Sequence, residues 1–190
     1  MTTPSLQGKT CIVTGGAGGL GKEISKILLA AGANIVIVDV NASALSSTAS
    51  ELASSGEVHT INADITSEDA VKSLVEETVS KYGRLDVLVN NAGVMDRFDP
   101  VGDLEKGLWD KVIAVNLTAP YLLSKAAINS MMKTGGGGIV NVGSAAGARG
   151  GAAGEDQSIV YKSIRIGREV LCDDLANGFQ APPTRPLNTV

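Results

Sequence analysis

The chain has 190 residues, the usual size of one domain, and hydrophobic residues make up 44% of it. Its net charge is −4 and it has no basic run, which argues against a nucleic acid or a membrane as its partner. The start of the chain, residues 1–5, is not typical of a signal peptide, and the two cysteines lack metal-ligand spacing, so we expect a cytoplasmic protein without a metal.

The first predicted element is a short apolar strand over residues 9–14, which runs directly into a glycine-rich turn and then an amphipathic helix. Free N–H groups and the helix dipole at such a helix start favour a phosphate. The run from Gly16 to Gly21 fits the dinucleotide pattern G-x-G-x-x-G and, with Lys22, most of a P-loop. Glu23 stands where a P-loop needs a hydroxyl for magnesium, so we expect a dinucleotide.

The predicted first helix and second strand follow the turn. Apolar residues at helical spacing, among them Leu20, Ile24 and Ile27, predict one buried face of this helix. The next strand, residues 35–39, ends in Asp39, close to the spacing expected for an acid that binds the ribose of a dinucleotide.

The alternation of helices and strands continues to residue 142. The further predicted elements are a helix at about 42–54, a strand at 57–62, a helix through 71–82 that Gly83 caps, a strand at 85–89, a long helix at about 107–133 and a strand at 138–142. This order predicts an α/β fold, namely a Rossmann-type doubly wound parallel sheet of about five strands.

Polar residues follow several predicted strands, where ligands bind in such folds. Asp64 follows the third strand, residues 90–93 follow the fourth, and Ser144 follows the fifth, while Asn116 lies one turn before Pro120 in the long helix. Each has a purely structural alternative, because Asp64 could cap a helix, Asn116 could bond to backbone near the proline, and Ser144 could belong to a turn. Their shared position at strand ends favours a ligand site.

The chain resembles the short-chain dehydrogenase/reductase family over residues 7 to about 154. The matching residues are Thr14-Gly15-x-x-x-Gly19-x-Gly21, Asp39, Asp64, Asn90-Asn91-Ala92-Gly93, Asn116 and Ser144. The resemblance implies a Rossmann fold that binds NAD(H) or NADP(H). The Asp39 carboxylate, which would repel a 2′-phosphate, favours NAD over NADP. It assigns the pyrophosphate to Gly15, Gly19, Leu20 and Gly21, the adenosine ribose to Asp39, the adenine to Asp64 and Ile65, and the cofactor cleft to Asn91, Ala92 and Gly93.

The same resemblance implies a catalytic set. Asn116 and Ser144 belong to it, and a Tyr-x-x-x-Lys pair should follow. An ungapped match places that tyrosine at Gln157, but Tyr161 lies four residues later and Arg165 stands where its lysine would be. Arginine keeps the positive charge but is larger, planar and differently hydrated.

Beyond residue 154 the chain departs from the family pattern. We expect one domain over residues 1–178, with a divergent helix at 157–177 and a disordered tail at 179–190. The family's last strands would then be missing, and residues 139–142 would form an exposed sheet edge that promotes homo-oligomers or aggregation. Two interpretations follow. The first is an NAD-dependent oxidoreductase that transfers hydride to or from a small alcohol or carbonyl compound, and whose activity the displaced Tyr-x-x-x-Lys pair would impair. The alternative is a non-catalytic dinucleotide-binding remnant or truncated product.

Overall fold

In the part of the chain that the structure describes, five parallel strands form one sheet, in the order β3-β2-β1-β4-β5. The structure, a computed structural model, describes residues 5–95, 97, 100 and 102–143. The strands are β1 Thr10–Thr14, β2 Asn34–Asp39, β3 Val58–Asn62, β4 Val87–Asn90 and β5 Gly138–Asn141. The helices are α1 Gly19–Ala30, α2 Ala42–Leu52, α3 Glu68–Tyr82, α4 Lys106–Ile113 and α5 Ala119–Met131, with a π turn at Ala114–Thr118 and a 3-10 turn at Met132–Thr134.

Hydrophobic cores lie on both faces of the sheet, which confirms the doubly wound fold. Alternate strand residues point to opposite faces. Ile12 and Leu88 pack with residues of α3 and α5, whereas the neighbouring Cys11 packs with residues of α1 and α2. The Cys11 thiol is fully buried, and burial, together with the charge of Asp86, raises its pKa to about 12.

The predicted buried face of α1 is wrong at two of its large apolar positions. Leu20 and Ile27 are 57% and 66% exposed, whereas Gly21, Ser25 and Leu29 are buried. Gly21 and Ser25 are small, which lets the helix lie close to the turn before it. The Ser25 hydroxyl donates a hydrogen bond to the Gly21 carbonyl oxygen at 2.8 Å. Close approach of backbone, rather than the largest apolar side chains, therefore decides which face is buried.

The long predicted helix is interrupted at its centre. The α4 and α5 segments are joined by the π turn, in which the Ala119 N–H bonds to the Ala114 carbonyl oxygen, five residues back. Gly83 ends α3 with φ +76°, as predicted for a left-handed cap.

Strand β5 lies at one end of the sheet as the structure describes it, and the Val140 side chain there is half exposed. Association through this edge stays a prediction. The predicted helix at 157–177 and the tail at 179–190 lie outside the described residues. Within the described part of the chain, no helix is both long and apolar enough to cross a membrane.

The fourth strand begins at Val87, two residues later than predicted, and Asp86 directly precedes it. The buried Asp86 carboxylate accepts hydrogen bonds from the Lys9 ammonium at 3.0 Å, the Thr10 N–H at 3.0 Å and Arg84 Nε at 2.7 Å. Burial alone would raise the pKa of Asp86, but these bonds outweigh it and hold the pKa below its usual value. The charge cluster thus joins β1 to β4.

We predict that Asp86→Asn lowers the free energy of unfolding by about 1–3 kcal/mol at pH 7, because the buried hydrogen bonds to the charged carboxylate weaken. A lowered folded-state pKa stabilises the fold above the unfolded pKa, about 3.9, and this stabilisation is lost as pH falls through the folded pKa. Urea unfolding from pH 7 to pH 2 should therefore show the gap between variant and wild type closing below about pH 4.

The matched control is Asp110→Asn, which removes the carboxylate of an exposed i,i+4 pair with Lys106. Its effect should stay within about 0.5 kcal/mol. A gap for Asp86→Asn that is unchanged at pH 2 would contradict the assignment of the stabilisation to the ionised carboxylate.

Candidate functional site

The carboxyl ends of β1 and β4 meet where the strand order reverses. From β1 the sheet grows outward through β2 and β3 on one side, and through β4 and β5 on the other. The connections that leave β1 and β4 therefore go to opposite sides and open a crevice between them. The glycine turn lies at the first of these ends and residues 90–93 lie at the second.

Two of the glycines in the turn are required by packing within the protein. A Cβ at Gly21 would lie 2.2 Å from the Gly15 carbonyl oxygen, and one at Gly16 would lie 2.7 Å from the Cβ of Ile37. Gly15 itself has φ +61°, a conformation that favours glycine. These residues let the turn fold tightly between β1, β2 and α1.

The other glycines of the turn border open space. A Cβ at Gly18 or Gly19 would meet no described atom within 4 Å. Gly18 caps α1 without a side-chain hydrogen bond, and the first turn of α1 contains no acidic residue. The neighbouring Leu20 side chain is exposed. This helix start can therefore receive an anionic group through its N–H groups and dipole.

Asp39 lies beside the turn, at the end of β2. One of its carboxylate oxygens accepts a hydrogen bond from the Ala17 N–H at 3.4 Å, and the other accepts one from the Asn41 N–H at 3.1 Å. The carboxylate is thus anchored next to the glycine turn.

Asp64 and Ile65 follow the adjacent strand β3. The exposed Asp64 carboxylate accepts bonds from the N–H and the hydroxyl of Thr66, at 2.9 and 2.7 Å, and these bonds lower its pKa. Asp64 does not cap α3, because the Ser67 hydroxyl does so. Ile65 is buried in the core with residues of α3, so only its backbone borders the strand ends.

The residues after β4 are bound tightly to the end of β1. The Asn91 side-chain amide donates to the Thr14 carbonyl oxygen at 2.9 Å and to the Gly15 carbonyl oxygen at 3.3 Å. The Thr14 hydroxyl accepts from the N–H groups of Asn91 and Ala92, both at 3.1 Å. These bonds fix the predicted cleft residues against the glycine turn.

Asn116 lies in the π turn and is bonded to the same segment. Its side chain makes a paired contact with Val94, accepting from the N–H and donating to the carbonyl oxygen, each at 2.8 Å. Gly93 lies beside it, since a Cβ there would be 3.4 Å from the Asn116 side-chain oxygen. The structure therefore brings Asn116 together with the cleft residues 91–93.

Ser144, Tyr161 and Arg165 lie outside the described residues. The described chain reaches Gly143, just beyond β5, so the structure adds no geometry for these three predicted catalytic residues.

Two threonines have contacts at the turn to which sequence reasoning gave no role, although Thr14 belongs to the matching glycine motif. Thr14 bonds to the cleft segment, and the Thr48 hydroxyl on α2 bonds to the Ala17 carbonyl oxygen at 2.6 Å. A possible sequence signal for Thr48 was its position between Leu45 and Leu52 on the buried face of α2, where a polar residue needs a partner.

Two solved structures with a similar architecture are a dehydrogenase and a short-chain oxidoreductase. NAD⁺-bound xylitol dehydrogenase matches with a TM-score of 0.85 and 30% identity, covering 92% of this chain and 66% of that chain. A metagenomic short-chain oxidoreductase in complex with NADP matches with a TM-score of 0.82 and 31% identity, covering 92% of this chain and 77% of that chain.

Curated relatives agree with this class. The short chain dehydrogenase/reductase dpchG of Colletotrichum higginsianum is 55% identical over 152 residues, which are 78% of this chain and 57% of the relative. The short chain dehydrogenase/reductase dpfgG of Gibberella zeae is 48% identical over 166 residues, which are 86% of this chain and 61% of the relative. The chain thus spans about three fifths of the length of these two relatives.

Residues 9–177 match the family described as short chain dehydrogenase. The chain belongs to the short-chain dehydrogenase/reductase family, which confirms the resemblance found in its motifs.

We predict that two glycines of the turn respond differently to alanine. Gly21→Ala should lower the free energy of unfolding by about 1–3 kcal/mol, because its Cβ would overlap the Gly15 carbonyl oxygen. Gly18→Ala should lower the free energy of unfolding by less than about 1 kcal/mol, because alanine is a poorer residue than glycine at the start of a helix. Thermal unfolding of the two variants measures this, and equal losses would contradict the packing difference.

Proposed function

We propose that the chain binds NAD(H) in this crevice and serves hydride transfer between the cofactor and a small alcohol or carbonyl compound. The observation that carries the proposal is the combination of the open glycine turn at Gly18 and Gly19 with the anchored Asp39 carboxylate beside it. A helix start without its own cap suits the pyrophosphate, and a carboxylate at the next strand end suits the adenosine ribose.

The turn would hold the pyrophosphate through its backbone. Gly19 and Leu20 begin α1 and present N–H groups that no side chain within the described residues caps. Gly15 and Gly21 would act indirectly, since their contacts with each other keep the turn tight enough for this approach. The match with P-loop enzymes is weakened further because Lys22 pairs with Glu51 at 2.8 Å.

Asp39 would determine which of the two nicotinamide cofactors the chain prefers. Its carboxylate can accept hydrogen bonds from the ribose hydroxyls of NAD(H), but it would repel the 2′-phosphate of NADP(H). Asp64, at the end of the neighbouring strand, and the backbone of Ile65 would border the adenine.

The opposite end of the crevice would receive the nicotinamide, which supplies or accepts the hydride when bound. Asn91, Ala92 and Gly93 would line this end, and Asn116 would hold their segment in place through Val94. A proton must also be held at the substrate oxygen, and we propose Tyr161 as its donor and Ser144 as a second member of the catalytic set. A tyrosine needs a nearby cation to exchange this proton at neutral pH, and Arg165 would supply it.

A non-catalytic nucleotide-binding role is the second candidate. It is favoured by the sequence after Tyr161, where Arg165 replaces the lysine of the family pair. The two candidate functions share the same cofactor site, and they differ only in whether the chain turns over a substrate. In either case we propose a cytoplasmic protein whose partners are a small molecule and other copies of the chain.

We predict that the chain binds NADH roughly a hundredfold more tightly than NADPH, because like charges at close range in a partly buried site cost several kcal/mol. Asp39→Ala should narrow this ratio. Calorimetric titration with both cofactors measures it, with Asp110→Ala as the control for loss of a carboxylate elsewhere. Equal or tighter NADPH binding by the wild type would overturn the assignment of Asp39.

We predict that turnover is about 10²–10⁴ lower than in family members with the regular pair, because the proton donor and its cation are displaced along the chain. Oxidation and reduction of a panel of sugars, ketones and secondary alcohols with NAD(H) measures it. Rapid turnover that is abolished by Tyr161→Phe, and kept by Tyr121→Phe on the exposed side of α5, would contradict this prediction and identify Tyr161 as the donor.

A further inference from the structure

Helix α2 holds the glycine turn through a buried hydrogen bond. The Thr48 hydroxyl donates to the Ala17 carbonyl oxygen at 2.6 Å, and both residues are buried. Threonines inside helices often bond to the carbonyl four residues back, as Thr78 does with Leu74 at 2.8 Å. Thr48 instead bonds to a residue of a different element, so its hydroxyl fixes the turn rather than its own helix.

The Ala17 peptide groups are held from two sides. The Ala17 N–H donates to the Asp39 carboxylate, and the second oxygen of that carboxylate accepts from the Asn41 N–H. Asn41 in turn caps α2 by accepting from the Ala44 N–H at 3.0 Å. The turn, the end of β2 and helix α2 therefore form a closed ring of contacts, which Thr48 completes.

The direction of the Ala17 carbonyl also sets the direction of the next N–H group. The carbonyl of Ala17 and the N–H of Gly18 belong to one planar peptide and point to opposite edges of it. Gly18 caps α1 and borders the open space beside the turn. Without the Thr48 hydroxyl, the carbonyl of Ala17 would lack this hydrogen-bond donor. The Ala17–Gly18 peptide would then be free to rotate toward a different donor.

We propose that Thr48 is a positioning residue for the phosphates of the bound nucleotide. It would act through the glycine turn, without contacting the nucleotide itself. It holds the Ala17–Gly18 peptide so that the start of α1 keeps the shape that receives the pyrophosphate. This inference rests on the proposed binding of a nicotinamide dinucleotide and adds a residue on α2 to the site.

The test is the dissociation constant of NADH, measured by calorimetry on the full chain. Thr48→Val keeps the shape of the side chain and removes the hydroxyl, so it should weaken binding about three- to tenfold, the value of one buried hydrogen bond. Thr48→Ser keeps the hydroxyl and should bind within about twofold of the wild type. Should Thr48→Val fail to fold, Thr48→Ala compared with Thr48→Ser isolates the hydroxyl in the same way.

Thr78→Val is the matched control, because it removes a buried threonine hydroxyl from α3 whose hydrogen bond to Leu74 stays within that helix. It should lower stability and leave the dissociation constant unchanged. Wild-type affinity in Thr48→Val, or an equal loss in Thr78→Val, would overturn this inference alone. Failure of the wild type to bind either nicotinamide cofactor would refute the proposed function, and this inference with it.

Discussion

The hydrogen bonds between Thr14 and Asn91 are the constraint on which the site depends. One threonine hydroxyl and one amide side chain join the carboxyl ends of β1 and β4. The connections that follow these two strands lead to opposite sides of the sheet. Because Asn91 also bonds to the Gly15 carbonyl oxygen, the glycine turn and the cleft segment cannot move independently. A crevice that would otherwise lie between two loops is thereby built on the central strands of the sheet.

The fold was predictable from local patterns, and the errors came from contacts between elements. Short apolar runs and glycines predicted the five described strands in their order along the chain, and Gly83 was recognised as a cap because its role is local. The face of α1 was not predictable from Leu20 and Ile27, because periodicity favours large apolar side chains. The contact of Gly21 with the turn, which arises only in three dimensions, determines the face instead.

The site was predictable to the extent that its residues stand at strand ends. Asp39 and residues 90–93 are such residues, and the structure brings them to one crevice. The π turn at Asn116 was not predicted, because the extra residue in the turn has no clear sequence pattern, although Pro120 follows shortly after it. Thr48 was missed because its partner lies 31 residues away, and no local pattern reveals that distance.

The charged cluster at Asp86 and the crevice occupy opposite ends of β1. The strand has five residues, which span roughly 15 Å, about twice the distance over which physiological salt screens exposed charges. Effects of substitutions separated by more than about 10 Å, with no shared partner, usually add. Sequence changes at the amino ends of the strands can therefore raise or lower the melting temperature without changing the ligand affinity. Stability and affinity can then evolve independently among members of the family.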